Sequence, residues 1–339
     1  MVLSQKLSVS IALCASVLVL SACESSDTDT EDLDTDSDTD PSTEAANVPW
    51  PLTLSETGLY SDVMTGTLAA DVRTYAPAFP LWSDGAVKQR YFALPEGTTI
   101  DSSDPDLWDF PVGTRAWKTF TRDGVRVETR YIERVQDDWV WVSYQWRDDG
   151  TDADAVPDGV RNAQGTQHDI PETQACFRCH QAAGLLGVGA IQLGDENSDD
   201  TLAIWTDAGL LSDAISELTA VPGDGLEHDV LGYFHGNCGG CHMDGYYLAD
   251  AYALRLRVQV GTATVQDSPV YQTGMNTPTR HQNTTSVVIA TGDPEASQLY
   301  ERMATREVTQ MPPVGTELVD QDTLDDVREW IVSLPDPQD

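Results

Sequence analysis

The stretch "VRVETRYIERV" (Val125–Val135), with "WVWVSYQW" (139–146) close behind it, decides the fold of the first half of the chain. Val127, Thr129 and Tyr131 fall on one side of an extended chain, and charged residues alternate with them on the other side. This alternation is typical of a strand with one buried face. The short Gln-Asp-Asp connection predicts that the two segments pair as an antiparallel hairpin.

Further strand signals surround this hairpin. The segment "VKQRYFAL" (87–94) lies between the turn-forming sequences "SDG" and "PEG", which predicts another strand. Tryptophans are frequent here and suggest either a platform for carbohydrate or, the reading we prefer, the core of a small β-sandwich. They are Trp108, Trp117, Trp139, Trp141 and Trp146. We therefore predict a mainly-β, sandwich-like domain over residues 48–150.

The acidic, turn-rich stretch "DDGTDADAVPDG" (148–159) interrupts the strand pattern and predicts a domain boundary. Its carboxylates raise the question of a calcium loop. The EF-hand order is not met, because Ala153 and Ala155 stand at alternate positions where that loop needs oxygen ligands. We therefore interpret the stretch as a connection into a second segment, 151–225.

Helical periodicity dominates the remainder of the chain. Apolar residues recur at helical spacing in 201–215, in 227–237 and in 321–334. In the last of these, Asp322 is the predicted N-cap and Pro335 ends the helix. The final segment, 226–339, is therefore predicted to be mainly α-helical.

The N-terminus carries an export signal. Lys6 precedes an apolar run, and "LSAC" ends at Cys23, in the order of a charged start, an apolar segment and a small-residue cleavage site. The tetrad is similar to the bacterial lipobox, so we predict a lipoprotein signal peptide over 1–22 and lipidation of Cys23. Ordinary cleavage or an uncleaved anchor remain the alternatives.

Residues 23–47 are rich in Asp, Ser and Thr and contain one sizeable apolar residue, Leu33. Such a composition cannot bury enough surface to offset its ordering entropy, so we predict an acidic disordered tether. The whole chain has a formal net charge of −37 and only three lysines. This charge argues against nucleic-acid binding, which needs clusters of Lys and Arg. It suits a basic protein partner, or adaptation to a salty habitat.

Two short motifs carry the chemistry. "CFRCH" comprises residues 176–180 and "CGGCH" comprises 238–242, and together they hold every cysteine beyond Cys23. Two thiols separated by two residues, followed by an imidazole, match covalent attachment of a c-type haem. The thiols add to the vinyl groups, and the histidine binds iron. Zinc, a dithiol–disulfide couple and structural disulfides stay open as alternatives.

We therefore predict two haem c groups. Cys176, Cys179, Cys238 and Cys241 are the predicted covalent attachment sites. His180 and His242 are the predicted axial ligands on one side of each iron, with Met311 of "QMPPVGTEL" opposite His242. For the first iron the opposite ligand is undecided, and the candidates are His168, His228, His235, Met275 and Met303.

The C-terminal part resembles a class I cytochrome c domain through its first helix, its CxxCH motif, its Met-Pro-Pro loop and a closing helix with Trp330. By that likeness Trp330 packs near 232–234. The whole chain resembles a family of bacterial dihaem c-type cytochromes through "FPLWSDGAVKQRYFALP", "FPVGTRAWKTF", "ACFRCH" and "GDPEASQLYERM". The resemblance implies a mixed multidomain fold: a mainly-β domain and then a mainly-α cytochrome c region with two haem sites.

These features predict a membrane-tethered electron-transfer protein of the cell envelope, on the periplasmic side of a membrane or at the outer membrane. Its expected partners are redox proteins, with the lipid at Cys23 providing the membrane contact. One alternative is an enzyme, a dihaem peroxidase or oxidase whose first iron has an open face. The other is a partner-binding module with accessory haems.

Overall fold

The computed structural model describes residues 49–335, apart from 137, 247, 248, 250–252 and 280–286. The predicted signal peptide, the lipidation site Cys23 and the whole of the predicted acidic tether lie outside the described residues. None of the helices in the described part is long and apolar enough to span a bilayer.

A six-stranded antiparallel sheet forms the first half of the described chain, and its neighbouring strands follow the chain order from Arg73–Tyr75 to Ala153–Ala155. A separate two-stranded ribbon, β1 and β2, precedes it. The strands are β1 Tyr60–Asp62, β2 Thr67–Leu68, β3 Arg73–Tyr75, β4 Val87–Ala93, β5 Arg115–Arg122, β6 Val125–Val135, β7 Asp138–Trp146 and β8 Ala153–Ala155.

The predicted hairpin is confirmed. β6 pairs antiparallel with β7, and Tyr131 lies opposite Val142. The strand predicted from "VKQRYFAL" is confirmed as β4. These elements were predictable because strand alternation and turn residues are local signals.

Both faces of the large sheet are buried, which corrects the prediction that β6 is buried on one face only. On one face Trp117, Tyr131 and Trp146 pack with Leu54 and Leu59 from the N-terminal segment. On the other face Phe92 and Ile132 belong to a cluster that includes residues of the helical half, such as Trp205. The expected β-sandwich is therefore wrong in detail, since helices and loops cover the face where a second sheet was expected.

Seven α-helices are present among the described residues. They are α1 Thr173–Ala183, α2 Ala190–Gly194, α3 Thr201–Asp207, α4 Leu226–Asn237, α5 Pro269–Gly274, α6 Gln298–Ala304 and α7 Gln321–Ser333. The sheet and these helices together confirm the coarse prediction of a mixed fold, with an antiparallel sheet first and helices after it.

Two helical predictions need correction. The helix predicted over 201–215 ends at Asp207, because Gly209 adopts a positive φ of 66° and Leu211 forms a bridge to Ile100. The N-cap of α7 is Asp320, whose side chain accepts from the Thr323 amide, and not Asp322. In both cases the apolar spacing is right and the boundary is wrong.

The helices α4 and α7 pack together in the second half of the chain. Trp330 of α7 meets Phe234 of α4 edge to face, with ring centroids 5.7 Å apart, which confirms the expected contact. On α4, a Cβ added at Gly232 would overlap the ring of Phe79. α4 therefore lies against the connection between β3 and β4 as well as against α7.

Candidate functional site

The first motif lies on α1. Cys176, Cys179 and His180 occupy positions i, i+3 and i+4 of a regular helix, so they share one helix face. The helix is joined to the sheet by the indole of Trp141, whose Nε1 donates to the Thr173 carbonyl at 2.9 Å. The Trp141 ring also stacks near the His180 imidazole, with centroids 6.2 Å apart. The sheet therefore sets the position of this motif.

The second motif follows the end of α4. Cys238 is the C-cap residue, and its carbonyl accepts from the amides of Cys241 at 3.1 Å and His242 at 2.9 Å. A Cβ at Gly239 would overlap the carbonyl of His235, so a glycine is required there. The motif therefore forms a tight turn beyond a helix, whereas the first motif lies within one.

The two motifs touch each other. The Arg178 carbonyl accepts from Cys241 Sγ at 3.4 Å and from the Tyr246 hydroxyl at 3.0 Å. A hydrogen bond with Cys241 is the main cause that raises the pKa of Cys179, and burial of the thiol is the second. The same bond lowers the pKa of Cys241 to about 7. All four cysteines are free thiols.

Each motif histidine is held by a backbone carbonyl. Nδ1 of His180 donates to the Gly184 carbonyl at 2.7 Å, and Nδ1 of His242 donates to the Leu254 carbonyl at 3.2 Å. A proton on Nδ1 places the imidazole lone pair on Nε2, the nitrogen that is commonly offered to a metal. Burial lowers the pKa of His180 to about 4 and also lowers the pKa of His242, so both rings are neutral near pH 7.

One cavity joins the two motifs. It has a volume of about 470 Å³, within the range of roughly 300–1,000 Å³ that is usual for small-molecule and cofactor sites, and its walls are mostly apolar. Its lining includes all four motif cysteines, both motif histidines and Met311. The structure therefore brings the predicted attachment cysteines, both motif histidines and Met311 together around one cavity.

The loop that carries Met311 is fixed at both ends. The Met311 amide donates to the Arg302 carbonyl at 2.9 Å. The Gln310 side chain donates to the carbonyls of Pro312 and Thr316 at 3.0 and 3.1 Å. Beyond the loop, the buried carboxylate of Asp84 accepts from the amides of Glu317 and Leu318 at 2.9–3.0 Å. The connection between β3 and β4 therefore holds this loop beside the cavity.

Most of the candidate ligands for a first iron lie elsewhere. His168 Nε2 is 2.7 Å from a Glu128 carboxylate oxygen, and His228 Nε2 is 3.2 Å from an Asp195 carboxylate oxygen. His235 and Met275 do not line the cavity, whereas Met303 does. Met303 is therefore the remaining candidate among the five.

The cavity also has polar residues that the sequence did not indicate. Gln298 Nε2, Arg302 Nε and Thr316 Oγ1 are buried and have no hydrogen-bond partner within the described residues. All three residues line the cavity. Single polar residues in or after a short helix give no local signal, so only their convergence in the folded chain reveals them.

Comparisons with known proteins identify no relative. No family model matches the chain, and neither the curated proteins nor the solved structures contain a match. Within the described part of the chain, no group of three or more His, Cys, Asp or Glu side chains is arranged to hold a metal ion.

These findings correct the resemblance drawn from the sequence. The assignment to a family of dihaem c-type cytochromes, and of the C-terminal part to class I cytochrome c, is wrong by these tests. The physical reason is that the likeness depended on short motifs, and a five-residue pattern constrains only a local stretch of backbone. Here the two copies adopt two different conformations.

Proposed function

We propose that the chain attaches two haem groups covalently, one at each cysteine pair, and transfers electrons without itself transforming a substrate. One observation carries the proposal. Four thiols, two imidazoles protonated on Nδ1 and the Met311 thioether border a single, mostly apolar cavity. This donor set suits a haem, because the porphyrin supplies most of the iron ligands and no cluster of protein ligands is needed.

The residues lining the cavity fit a group with an apolar body and an anionic edge. Cys176 and Cys179 would hold one porphyrin, and Cys238 and Cys241 the other. The buried polar atoms of Gln298, Arg302 and Thr316 lack partners within the described residues, and carboxylates of a bound porphyrin would satisfy them. When bound, the haem iron supplies one-electron chemistry by cycling between Fe(III) and Fe(II).

The protein's own contribution is to orient ligands and to exclude water. The carbonyls of Gly184 and Leu254 keep the two imidazoles in one tautomer and restrict rotation of the rings. The loop fixed by Asp84 and Gln310 holds the Met311 thioether, a ligand that raises the potential of a haem, at the cavity wall. These contacts limit reorganisation, which favours fast electron transfer over ligand exchange.

The alternatives for the cysteines differ in their support. Zinc held by both cysteine pairs is disfavoured, since no suitable group of side chains exists among the described residues. A dithiol–disulfide couple gains some support from the contact between Cys179 and Cys241, which lie in different motifs. It leaves the orientation of His180 and His242 unexplained.

We further propose that the protein exchanges electrons with a basic redox protein and is anchored to a membrane through lipid at Cys23. The formal net charge of −37 favours attraction of a basic partner over a distance set by ionic strength. The rate of electron exchange with a small basic redox protein is therefore expected to fall steeply as salt is added. A rate that does not depend on salt would contradict this choice of partner.

The direct test is production of the full chain in a bacterial host that matures c-type cytochromes. We expect coloured protein whose mass exceeds the polypeptide by two porphyrins. The Cys176→Ser/Cys179→Ser and Cys238→Ser/Cys241→Ser double variants should each retain one porphyrin. Wild-type chain from a host without the maturation machinery is the matched control. Colourless protein of unmodified mass from the competent host would refute the proposal.

A second candidate function is an enzyme in which the first iron keeps an open face. It is favoured by one observation: of the five candidate ligands for that iron, Met303 alone lines the cavity. Carbon monoxide added to the reduced protein distinguishes the two functions. Absence of binding supports a carrier, whereas binding at one of two haems supports the enzyme.

A further inference from the structure

A row of cations crosses the face of the sheet that looks towards the helices. Arg90 of β4 lies opposite Lys118 of β5, and Lys118 lies opposite Arg130 of β6. Side chains directly opposite in an antiparallel pair have Cβ atoms about 5 Å apart, and like charges at such positions are destabilising. This arrangement is unexpected in a chain that has only three lysines and a formal net charge of −37.

One buried carboxylate neutralises part of this row. Arg130 Nε and an Arg130 terminal nitrogen donate to the two oxygens of Glu128 at 2.7 and 3.1 Å. The same carboxylate also bonds His168 and Ser143, both at 2.7 Å. Glu128 is fully buried and all of its bonding capacity is directed at these groups. Its negative charge therefore compensates Arg130, and it has no free oxygen lone pair to accept a hydrogen bond from Lys118 or Arg90.

Lys118 has no such partner. Within the described residues its ammonium makes no hydrogen bond or ion pair, and its nearest aromatic contact is Phe120, whose ring centroid is 5.9 Å away. The Lys118 side chain is half-buried, and the part of its surface that is exposed faces the cavity. Arg90, which is 7 % exposed, also lacks an ion pair within the described residues.

The row lies beside the first motif. Lys118 and Arg130 both line the cavity that holds Cys176 and His180. The positive charges of both residues act on Cys176 and on His180. Lys118 and Arg130 are adjacent, partly buried cations that open into a cavity, and the one buried carboxylate beside them is paired with Arg130. The cavity next to Lys118 is therefore suited to a negative charge.

We propose that Lys118 and Arg130, with Arg90 behind them, bind an anion of the carboxylate or small-oxyanion class in the cavity beside the first motif. Two sources have this chemistry: a diffusible oxyanion, or a carboxylate of a porphyrin attached at α1. The second source rests on the function proposed above, and the first does not.

The experiment titrates the full chain with inorganic phosphate by calorimetry, in haem-loaded and haem-free forms. The Lys118→Met variant is compared with wild type and with Arg147→Met, a control in which the arginine is paired to Asp154 at an exposed sheet edge. We expect Lys118→Met to weaken phosphate binding at least tenfold, and Arg147→Met to bind as wild type does.

The two forms of the protein distinguish the sources. A diffusible oxyanion predicts Lys118-dependent binding in both forms. A porphyrin carboxylate predicts binding to the haem-free chain alone, together with a lower reduction potential of one haem in loaded Lys118→Met. If phosphate binding is absent or insensitive to Lys118 in both forms, and neither potential changes, the site does not exist. Porphyrin content is measured separately, so failure of haem attachment is not confused with failure of this site.

Thermal unfolding keeps the test decisive if the haem-free chain does not fold. Burial and the charges of Arg90 and Arg130 lower the pKa of Lys118 well below its usual value. Without an anion, Lys118→Met therefore removes an unfavourably buried amine, and the loaded variant should unfold at a higher temperature than wild type if no porphyrin carboxylate fills the site. Saturating phosphate should then reverse the order, because ligand binding stabilises only the chain that has the site. If a porphyrin carboxylate fills the site, the expected result is instead the lower reduction potential of one haem in loaded Lys118→Met. A higher unfolding temperature of the variant at every phosphate concentration, with unchanged potentials, overturns the proposal.

Discussion

The first motif lies within a continuous helix beneath a sheet face that carries buried charge, whereas the second follows the end of α4 in a region held by apolar contacts. Around the first motif, the fully buried carboxylate of Glu128 forms an ion pair with the partly buried guanidinium of Arg130. Around the second, Phe234 and Trp330 provide the packing. The same five-residue pattern therefore occurs with different backbone geometry and is stabilised by different forces.

Because different forces stabilise them, the regions around the two motifs should respond to different perturbations. Acid should affect the first region more, because a buried carboxylate must be protonated there. Loss of apolar volume should affect the second region more, because packing between α4 and α7 positions its cysteines. The substitutions below separate the two responses, in order of decreasing expected effect.

Removal of the Trp330 side chain should give the largest effect. Trp330 is 1 % exposed and contacts Phe234, so Trp330→Ala is expected to lower the free energy of unfolding by about 3–5 kcal/mol. Val332→Ala on the same helix is the control, since Val332 is 52 % exposed and its loss should cost less than about 0.5 kcal/mol. Denaturant unfolding measures both values. In Trp330→Ala, the rate of amide hydrogen exchange should rise more at the second motif than at the first. Equal increases at both motifs would contradict the idea that this packing supports the second motif specifically.

Glu128→Gln should weaken the first region by a comparable or slightly smaller amount. Burial by itself raises the pKa of Glu128, but the charge of Arg130 and the hydrogen bonds from His168 and Arg130 outweigh this effect. Together they lower the pKa to about 2, from its usual value of 4.5. The substitution leaves Arg130 without its counter-charge, at an expected cost of about 3 kcal/mol at pH 7.

The pH dependence gives the sign of this effect. Because the folded-state pKa is depressed, the contribution of Glu128 is complete above about pH 4.5 and is lost as the pH falls towards about 2. The stability of wild type should therefore fall more steeply than that of Glu128→Gln over this range. Glu295→Gln, at an exposed pair with Arg328, is the control and should follow wild type. Parallel curves for wild type and Glu128→Gln would refute the charge-based account of the first region.

Asp84→Asn tests the loop that serves the second motif. Asp84 has a φ of 53°, a conformation that asparagine also tolerates, so the substitution removes charge with little backbone cost. The amides of Glu317 and Leu318 then lose a charged acceptor, and we expect a cost of roughly 1–2 kcal/mol with faster hydrogen exchange over 311–318. Asp71→Asn, which affects an exposed pair with Arg115, should change little. Unchanged exchange in the loop would show that other contacts hold Met311.

The smallest effect concerns the start of α7. Asp320→Ala removes the side chain that accepts from the Thr323 amide and should cost about 1 kcal/mol. Asp322→Ala leaves that bond intact and loses only a favourable charge near the helix N-terminus, at a cost of about 0.3–0.5 kcal/mol. Thermal unfolding of the two variants compares the observed cap with the predicted one. The reverse order would show that Asp322 is the working cap after all.

Local patterns in the sequence were sufficient for the hairpin of β6 and β7, for α4 and α7, and for the cysteines, histidines and methionine that border the cavity. Alternation, helical spacing and motif spacing each depend on residues a few positions apart, so they can be read without the fold. The end of α3 at Asp207 and the cap at Asp320 were missed, because boundaries depend on single backbone contacts that leave the apolar spacing unchanged.

By itself the sequence determined the chemical groups of this protein: two cysteine pairs with adjacent histidines, a thioether before two prolines and a strongly acidic composition. Only the tertiary structure decided that both motifs border one cavity, that helices cover the second face of the sheet, and that Arg90, Lys118 and Arg130 form one row. These outcomes depend on strand register and on packing between residues more than 100 positions apart in one chain, such as Phe79 and Gln192. Such contacts form only when the whole chain is folded, so no local pattern contains them.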